Sequence, residues 1–268
     1  MLLIAVDEAH CISEWGHDFR PSYRHISKVR RIAPRAPILA VTATATNDTI
    51  KDIQRNLLFK ENNLIKSSFK RANLSYIVDQ DRDKNTKLLK LLNKIKSSAI
   101  IYVGTRKRTK ELTKLLIENN FTASYYHGGL TLSERHKIQD SWTKNHTRII
   151  VATNAFGMGI NKKDVKLVVH MDLPSSIEAY FQETGRAGRD GQVAYAFLLA
   201  NSYDIKKQKN ILNQRYPSVK EILEVYQNIA NYLQIAVGEF PKEPIPFDIV
   251  DFSNRYKTNI LKIYNTLL

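Results

Sequence analysis

Three groups of residues have types and spacings that could do chemistry together. Asp7-Glu8-Ala9-His10 follows the apolar run 2–6. A carboxylate at the C-terminal end of a parallel strand stands where such sheets bind ligands. An aspartate there can hold the magnesium ion that neutralises phosphate charge, and an adjacent glutamate can orient and deprotonate water. Four letters are also compatible with an ordinary solvated strand end. Thr42-Ala43-Thr44-Ala45-Thr46 follows a second apolar run, 38–41. Its hydroxyls could relay hydrogen bonds between a nucleotide site and a nucleic-acid site, or Thr46 or Asn47 could simply cap a helix. The third group is Gln182-Glu183-Thr184-Gly185-Arg186-Ala187-Gly188-Arg189. Its two arginines stand where a predicted helix gives way to a turn. An arginine supplied in cis can stabilise the charge that spreads over a phosphoryl group in transfer.

The elements that must position these residues are legible in the hydrophobic pattern. Short continuous apolar runs occur at 2–6, 38–41, 99–103, 149–152 and 165–169, as in strands buried on both faces of a parallel sheet. Helical patterns lie between them: Ile50, Ile53 and Leu57 share one face, and Leu112, Leu115, Leu116 and Asn119 trace another. Thr131 with Glu134, and Ser175 with Glu178, have capping-box spacing and mark helix starts. Strands alternating with helices predict an α/β fold, here in two units. The first is expected over 1–68. The second is expected over 69–204, with the polar stretch 69–87 read as a linker into it. A helical extension follows over 205–268. There Val219, Ile222, Leu223, Tyr226 and Ile229 keep helical spacing, one glycine and three prolines break the chain between 238 and 246, and two short helices flank Lys257-Thr258.

Composition narrows the field. The 268 residues carry 41 Lys and Arg against 26 Asp and Glu, a net charge of +15. Residues 1–200 hold 32 of the basic and 19 of the acidic side chains, so the positive field belongs to them and suits a polyanion partner. Cys11 is the only cysteine. It excludes a disulfide within the chain and any multi-cysteine zinc site, and reads best as a small buried filler. No apolar stretch approaches the roughly 20 residues that span a bilayer, so a soluble intracellular protein is expected, with no membrane partner.

In this order the three groups resemble superfamily 2 helicases. The stretch Asp7-Glu8-Ala9-His10-Cys11-Ile12-Ser13-Glu14-Trp15-Gly16-His17-Asp18-Phe19-Arg20-Pro21-Ser22-Tyr23 is more specific: it resembles the Walker B motif of the RecQ family running into that family's aromatic-rich loop. Ala155-Phe156-Gly157-Met158-Gly159-Ile160-Asn161-Lys162 is similar to its motif V, and 182–191 to its motif VI. The resemblance implies part of a first RecA-like lobe, a complete second one (parallel sheets flanked by helices), and a small helical extension for which a winged helix is one form. It implies an ATP-dependent DNA helicase of 3′-to-5′ polarity using ATP and Mg2+, with single-stranded DNA and duplex junctions as partners; the alternatives are an RNA helicase and a non-catalytic nucleic-acid-binding remnant of a helicase. Asp7 would bind the metal and Glu8 would be the base. Arg189 and Arg186 would act on the phosphates, and His10, Gln182, Gly185 and Gly157 would line the nucleotide. Thr42, Ala43 and Thr44 would couple hydrolysis to movement. Trp15, Phe19, Arg20, Thr105, Arg106, His127 and Thr153 would meet nucleic acid, since bases stack on aromatic faces while cations reach phosphate.

Three departures qualify the likeness. The pattern G-x-x-x-x-G-K-[ST], whose amides and lysine cradle phosphates, is absent, since no glycine is followed by lysine. With a strand immediately after Met1 and a last helix without a cap, the chain reads as a fragment of a longer protein, expected not to turn over ATP by itself. Residues 190–268 lack the cysteines of the family's zinc module, so a zinc-free variant is expected. Glu14 also stands where the aromatic-rich loop usually has glutamine.

Overall fold

The computed structural model describes residues 3–14, 19–80, 83–157, 160–236, 238–239, 241 and 243–267. The chain divides into two compact units, Met1–Ala200 and Asn201–Leu268.

The first unit holds two parallel sheets. The smaller pairs β1 (Ile4–Val6) with β2 (Ile38–Ala40). Around them lie 3-10 turns at Ala9–Ile12 and Pro21–Lys28, the short α1 (Val29–Ile32) and α2 (Asn47–Asn56). Val6, Ala9, Ile12, Ile53 and Leu57 form their core. Thr46 caps α2 by accepting from the Thr49 amide. The larger sheet contains β3 (Leu74–Asp79), β4 (Ser98–Tyr102), β5 (Ala123–Tyr126), β6 (Ile149–Ala152), β7 (Val165–His170) and β8 (Ala194–Leu199). Its order is β3-β8-β7-β4-β6-β5, and every pairing is parallel. The crossovers carry α3 (Lys84–Lys94), α4 (Arg106–Glu118), α5 (Leu132–Thr143) and α6 (Ile177–Thr184).

The central strands are apolar throughout because both faces are covered. Ala99, Ile101, Ile149, Val151, Leu167 and Val169 point into one core with Leu88, Leu92, Leu112 and Leu116. The alternate residues Ile100, Tyr102, Ile150, Ala152 and Val168 point into the other, with Trp142 and Phe156. This is a RecA-like lobe, with part of another before it, as expected. Two expectations need correction. The stretch 69–87 is not simply a linker, because β3 and the start of α3 lie within it. The cap of α6 is Ser176, which accepts from Ala179 N at 3.1 Å, and not Ser175.

The second unit is helical: α7 (Ser202–Arg215), α8 (Val219–Tyr232), α9 (Ile249–Tyr256) and α10 (Ile260–Leu267). Val225, Phe252 and Ile263 form its core. Lys257 takes the left-handed conformation (φ 51) between α9 and α10, as the predicted break requires. Among the described residues of this unit there is no strand to form the wing of a winged helix. No described helix is long and apolar enough to cross a membrane.

Candidate active site

β1 delivers Asp7 and Glu8 at its carboxyl end. Asp7 is exposed, and its Oδ1 accepts from the Glu8 amide at 2.8 Å. Glu8 is left-handed (φ 49, ψ 43), a conformation that costs a non-glycine residue on the order of 1–3 kcal/mol and needs support from its surroundings. That support comes from both sheets. Gln182 Nε2 on α6 donates to Glu8 Oε1 at 3.1 Å across 174 residues of chain. His10 Nδ1 lies 3.3 Å from Glu8 Oε2 and 3.0 Å from Thr42 Oγ1. A carboxylate only accepts, so this geometry suits the tautomer that carries its proton on Nδ1. Thr42 Oγ1 in turn accepts from Thr44 N at 3.3 Å. The structure thus brings Gln182, Glu8, His10, Thr42 and Thr44 into one line of polar contacts, while Ala43 is exposed beside it. Cys11 is buried, as expected of a filler.

The arginines sit on the second sheet. Arg186 is 7% exposed, and its Nη1 donates to the Gly157 carbonyl. A Cβ at Gly157 would stand 2.7 Å from Arg186 Nη2, so only glycine allows this approach. Arg189 is more exposed; its Nη1 donates to Ile160 O at 2.6 Å and to Asn161 Oδ1 at 3.4 Å. Burial first, then the Arg186 and Arg71 charges, pull the Arg189 guanidinium below its usual range, though arginine stays protonated. Both arginines are therefore held by carbonyls of the loop after β6. Tyr102 OH fixes that loop by donating to Phe156 O at 2.9 Å, and burial raises the pKa of this phenol.

Several residues around α6 escaped the sequence reading. His170 Nε2 and Glu183 Oε2 are 2.7 Å apart and both side chains are buried. The imidazole also stacks on Tyr102 at 5.1 Å. Arg71 Nη1 and Nη2 donate to Gly185 O at 3.0 Å and Gly188 O at 2.5 Å. Asn73 Nδ2 donates to Gly188 O at 2.7 Å and Gln192 O at 2.9 Å. Glu183 lay inside a stretch already singled out. Arg71 and Asn73 carried no signal, being two polar residues in a polar segment.

The candidate nucleic-acid contacts lie at the carboxyl ends of β4, β5 and β6. Thr105 caps α4 by accepting from Arg108 N at 3.2 Å. The Arg106 guanidinium lies against Gly129, 2.8 Å from where its Cβ would be. His127 stacks on Tyr125 at 5.6 Å and is 5% exposed, with neither ring nitrogen hydrogen-bonded. Thr153 Oγ1 accepts from Ala155 N at 3.4 Å. In the smaller sheet's loop, Arg24 sits 5.0 Å over the Phe19 ring and pairs with Glu14 at 2.8 Å. The Arg20 amide donates to Cys11 O at 2.8 Å. Trp15 falls outside the described residues. Among the described residues no cluster of three or more His, Cys, Asp or Glu could hold a metal. Asp7 offers a hard, exposed oxygen of the kind Mg2+ takes together with water and phosphate oxygens, so the residues present fit that ion.

Comparison with known proteins bears on the family and the fold. Residues 83–191 match the helicase conserved C-terminal domain. The ATP-dependent DNA helicase RecQ of Pasteurella multocida is 40% identical over 238 residues, covering 88% of this chain and 37% of that one. An Acanthamoeba polyphaga mimivirus protein named for ATP-dependent RNA helicase activity is 44% identical over 215 residues, 79% of this chain and 39% of its own. The chain therefore spans about two-fifths of the length of these relatives. Saccharomyces cerevisiae Dbp5 bound to RNA and ADP BeF3 superposes with a TM-score of 0.63 at 21% identity, covering 100% of this chain and 64% of that one, a likeness of fold.

Proposed function

We propose that this chain, which belongs to the RecQ-like helicases of superfamily 2, supplies the Walker B carboxylates and the arginine-bearing lobe of a motor that unwinds DNA 3′ to 5′ at the expense of ATP. The observation that carries the reading is the Gln182–Glu8 hydrogen bond, 3.1 Å across 174 residues, which faces the arginine-bearing element onto the carboxylate pair. Glu8 orients and deprotonates the attacking water, held in place through Gln182 and His10. Asp7 would hold Mg2+, whose contribution when bound is to neutralise phosphate charge. Arg189 and Arg186 meet charge that develops on the phosphate, Arg186 from a buried and water-poor position where such a contact is strong. Gly157 and Gly185 admit the nucleotide closely. Arg106, His127, Thr153, Thr105, Phe19, Arg20 and Trp15 track the nucleic acid, and the Thr42–Thr44 turn passes changes to the hydrolytic site through His10.

The test is Arg189→Ala in the full-length gene product. An arginine that acts on the transition state should be missed in turnover by about 10³-fold or more, with ATP binding largely kept. Near-normal turnover would remove Arg189 from the mechanism. The same assay run with DNA and with RNA decides the substrate: the likeness of residues 7–23 to the aromatic-rich loop favours DNA, and stimulation by RNA alone would reverse that choice.

A further inference from the structure

We propose that Arg71 and Asn73 are positioning residues for Arg186 and Arg189, and that the segment 69–73 transmits movement of the carboxylate-bearing part of the chain to them. This rests on the reading above. The turn from Gly185 to Gly188 starts where α6 ends, and the last carbonyls of a helix have no partner inside it. Arg71 supplies one: a single planar guanidinium spans Gly185 O and Gly188 O, three residues apart, at 3.0 and 2.5 Å. Its positive charge also suits the negative end of the helix. Asn73 holds Gly188 O a second time, at 2.7 Å, and reaches on to Gln192 O at 2.9 Å. Gly188 accepts this because it is left-handed (φ +64), and a Cβ there would meet Asn73 Nδ2 at 2.7 Å and Ala194 Cβ at 3.0 Å. Arg186 and Arg189 leave the backbone inside and just after the clamped turn.

The clamp is also placed to receive movement. Residues 69–73 are the covalent route from the small sheet to β3, which begins at Leu74. Phe69 packs edge-on against Phe181 of α6, with ring centroids 5.5 Å apart. Any displacement of the carboxylate-bearing part thus reaches α6 through Phe69 and the arginine turn through Arg71. Arg71 Nη1 and Nη2 both point at carbonyls, so its part is to position and not to touch phosphate. Lysine keeps the charge but lacks the rigid fork that reaches two acceptors.

The experiment compares Arg71→Ala, Arg71→Lys and Asn73→Ala in the full-length gene product, with Arg189→Ala as reference. It reads kcat and KM for ATP under nucleic-acid stimulation, together with amide exchange at Gly188 and Gly191. A misplacement of about 1 Å can cost roughly 10²-fold in rate, so kcat should fall by about that factor in Arg71→Ala and Arg71→Lys alike, with KM little changed. Exchange should quicken at both glycines, whose amides donate to Val165 O and Gly188 O. Full turnover in Arg71→Lys, or a loss confined to KM, would overturn the clamp in favour of a plain charge effect. If Arg189→Ala silences the enzyme while both Arg71 variants keep normal kcat, the positioning role fails and the proposed function stands. If Arg189→Ala is itself normal, both fail.

Discussion

Replacing Gly157 by alanine isolates the hold that the loop after β6 has on Arg186. The backbone at Gly157 is not left-handed, so alanine meets no conformational penalty there. The cost arises at one contact. The new Cβ would lie 2.7 Å from Arg186 Nη2 and 3.5 Å from its Cζ. Ordinary carbon contacts sit near 3.5–4.0 Å, so the guanidinium must withdraw by about 1 Å. Arg186 is 7% exposed and its Nε already lacks a partner, so water cannot readily replace the bond from Nη1 to Gly157 O. Losing a hydrogen bond to a buried charged group costs about 1.5–3 kcal/mol, which denaturant unfolding will resolve. If Arg186 stabilises the transition state as proposed, a shift of that size should lower ATP turnover by roughly 10²-fold, about 2.7 kcal/mol of barrier. Steady-state ATPase of the full-length gene product with saturating nucleic acid, beside a nucleotide-binding titration, reads the loss of turnover. Wild-type turnover together with wild-type stability would show that the working enzyme does not hold Arg186 through this loop.

Two further outcomes are expected. Trp142 is fully buried, packs edge-on against Phe156 at 5.3 Å and carries Lys162 Nζ 5.3 Å over its ring, so Trp142→Ala should cost about 3–5 kcal/mol in denaturant unfolding; a loss below about 1 kcal/mol would contradict this packing. In the helical unit, Glu221 is bonded by Lys262 and by Ser218 at the start of α8, which lowers its pKa from 4.5 to about 2. A depressed carboxylate contributes stability that is complete above its ordinary value and is lost as pH falls through the folded one, so the tie between α8 and α10 should weaken between pH 4.5 and about 2. Circular dichroism of wild type and Glu221→Gln across that window should diverge, and superimposable titrations would show that the tie carries no acid dependence.

How much was legible depends on where each element sits. The runs at 99–103, 149–152 and 165–169 became β4, β6 and β7 because a strand covered on both faces must be apolar at every position. β3 and β5 went unread because they are the sheet's edges: Tyr76 and Val78 are exposed on β3, and β5 reads Ala-Ser-Tyr-Tyr, with little in either to mark a buried run. β8 is interior, but alanines alternate with tyrosine and phenylalanine through much of it, and alanine is a weak strand signal. At the site, motif likeness picked out the residues but not their pairings. Spacing cannot announce that Gln182 meets Glu8, or that Arg71 closes on a turn 114 residues away. The His170–Glu183 pair was hidden differently, since a histidine ending an apolar run and a glutamate inside a motif each have ordinary explanations until the sheet brings them together.

The unequal strength of these contacts says where the proposed motor should yield. Among the described residues the hydrogen bond between the carboxylates and α6 is Gln182 to Glu8, partly exposed and worth about 1.5–3 kcal/mol at most. On the other side α6 is fastened to its own sheet by the buried His170–Glu183 pair, by Arg71 and Asn73 on the turn beyond it, and by the ring contact Tyr76–Tyr180. Pulling α6 off the sheet would break most of these together and strand buried polar groups; parting Gln182 from Glu8 breaks one bond and returns both ends to water. The proposed motor should therefore part at the Gln182–Glu8 contact, and α6 should travel with the arginines as one body. Opening also removes one of the supports of the left-handed Glu8 and leaves His10 as the described contact that still ties its side chain to Thr42. Under the proposed function Glu8 is then fully restrained only when the arginine-bearing element is docked on it, which would confine hydrolysis to that docked state.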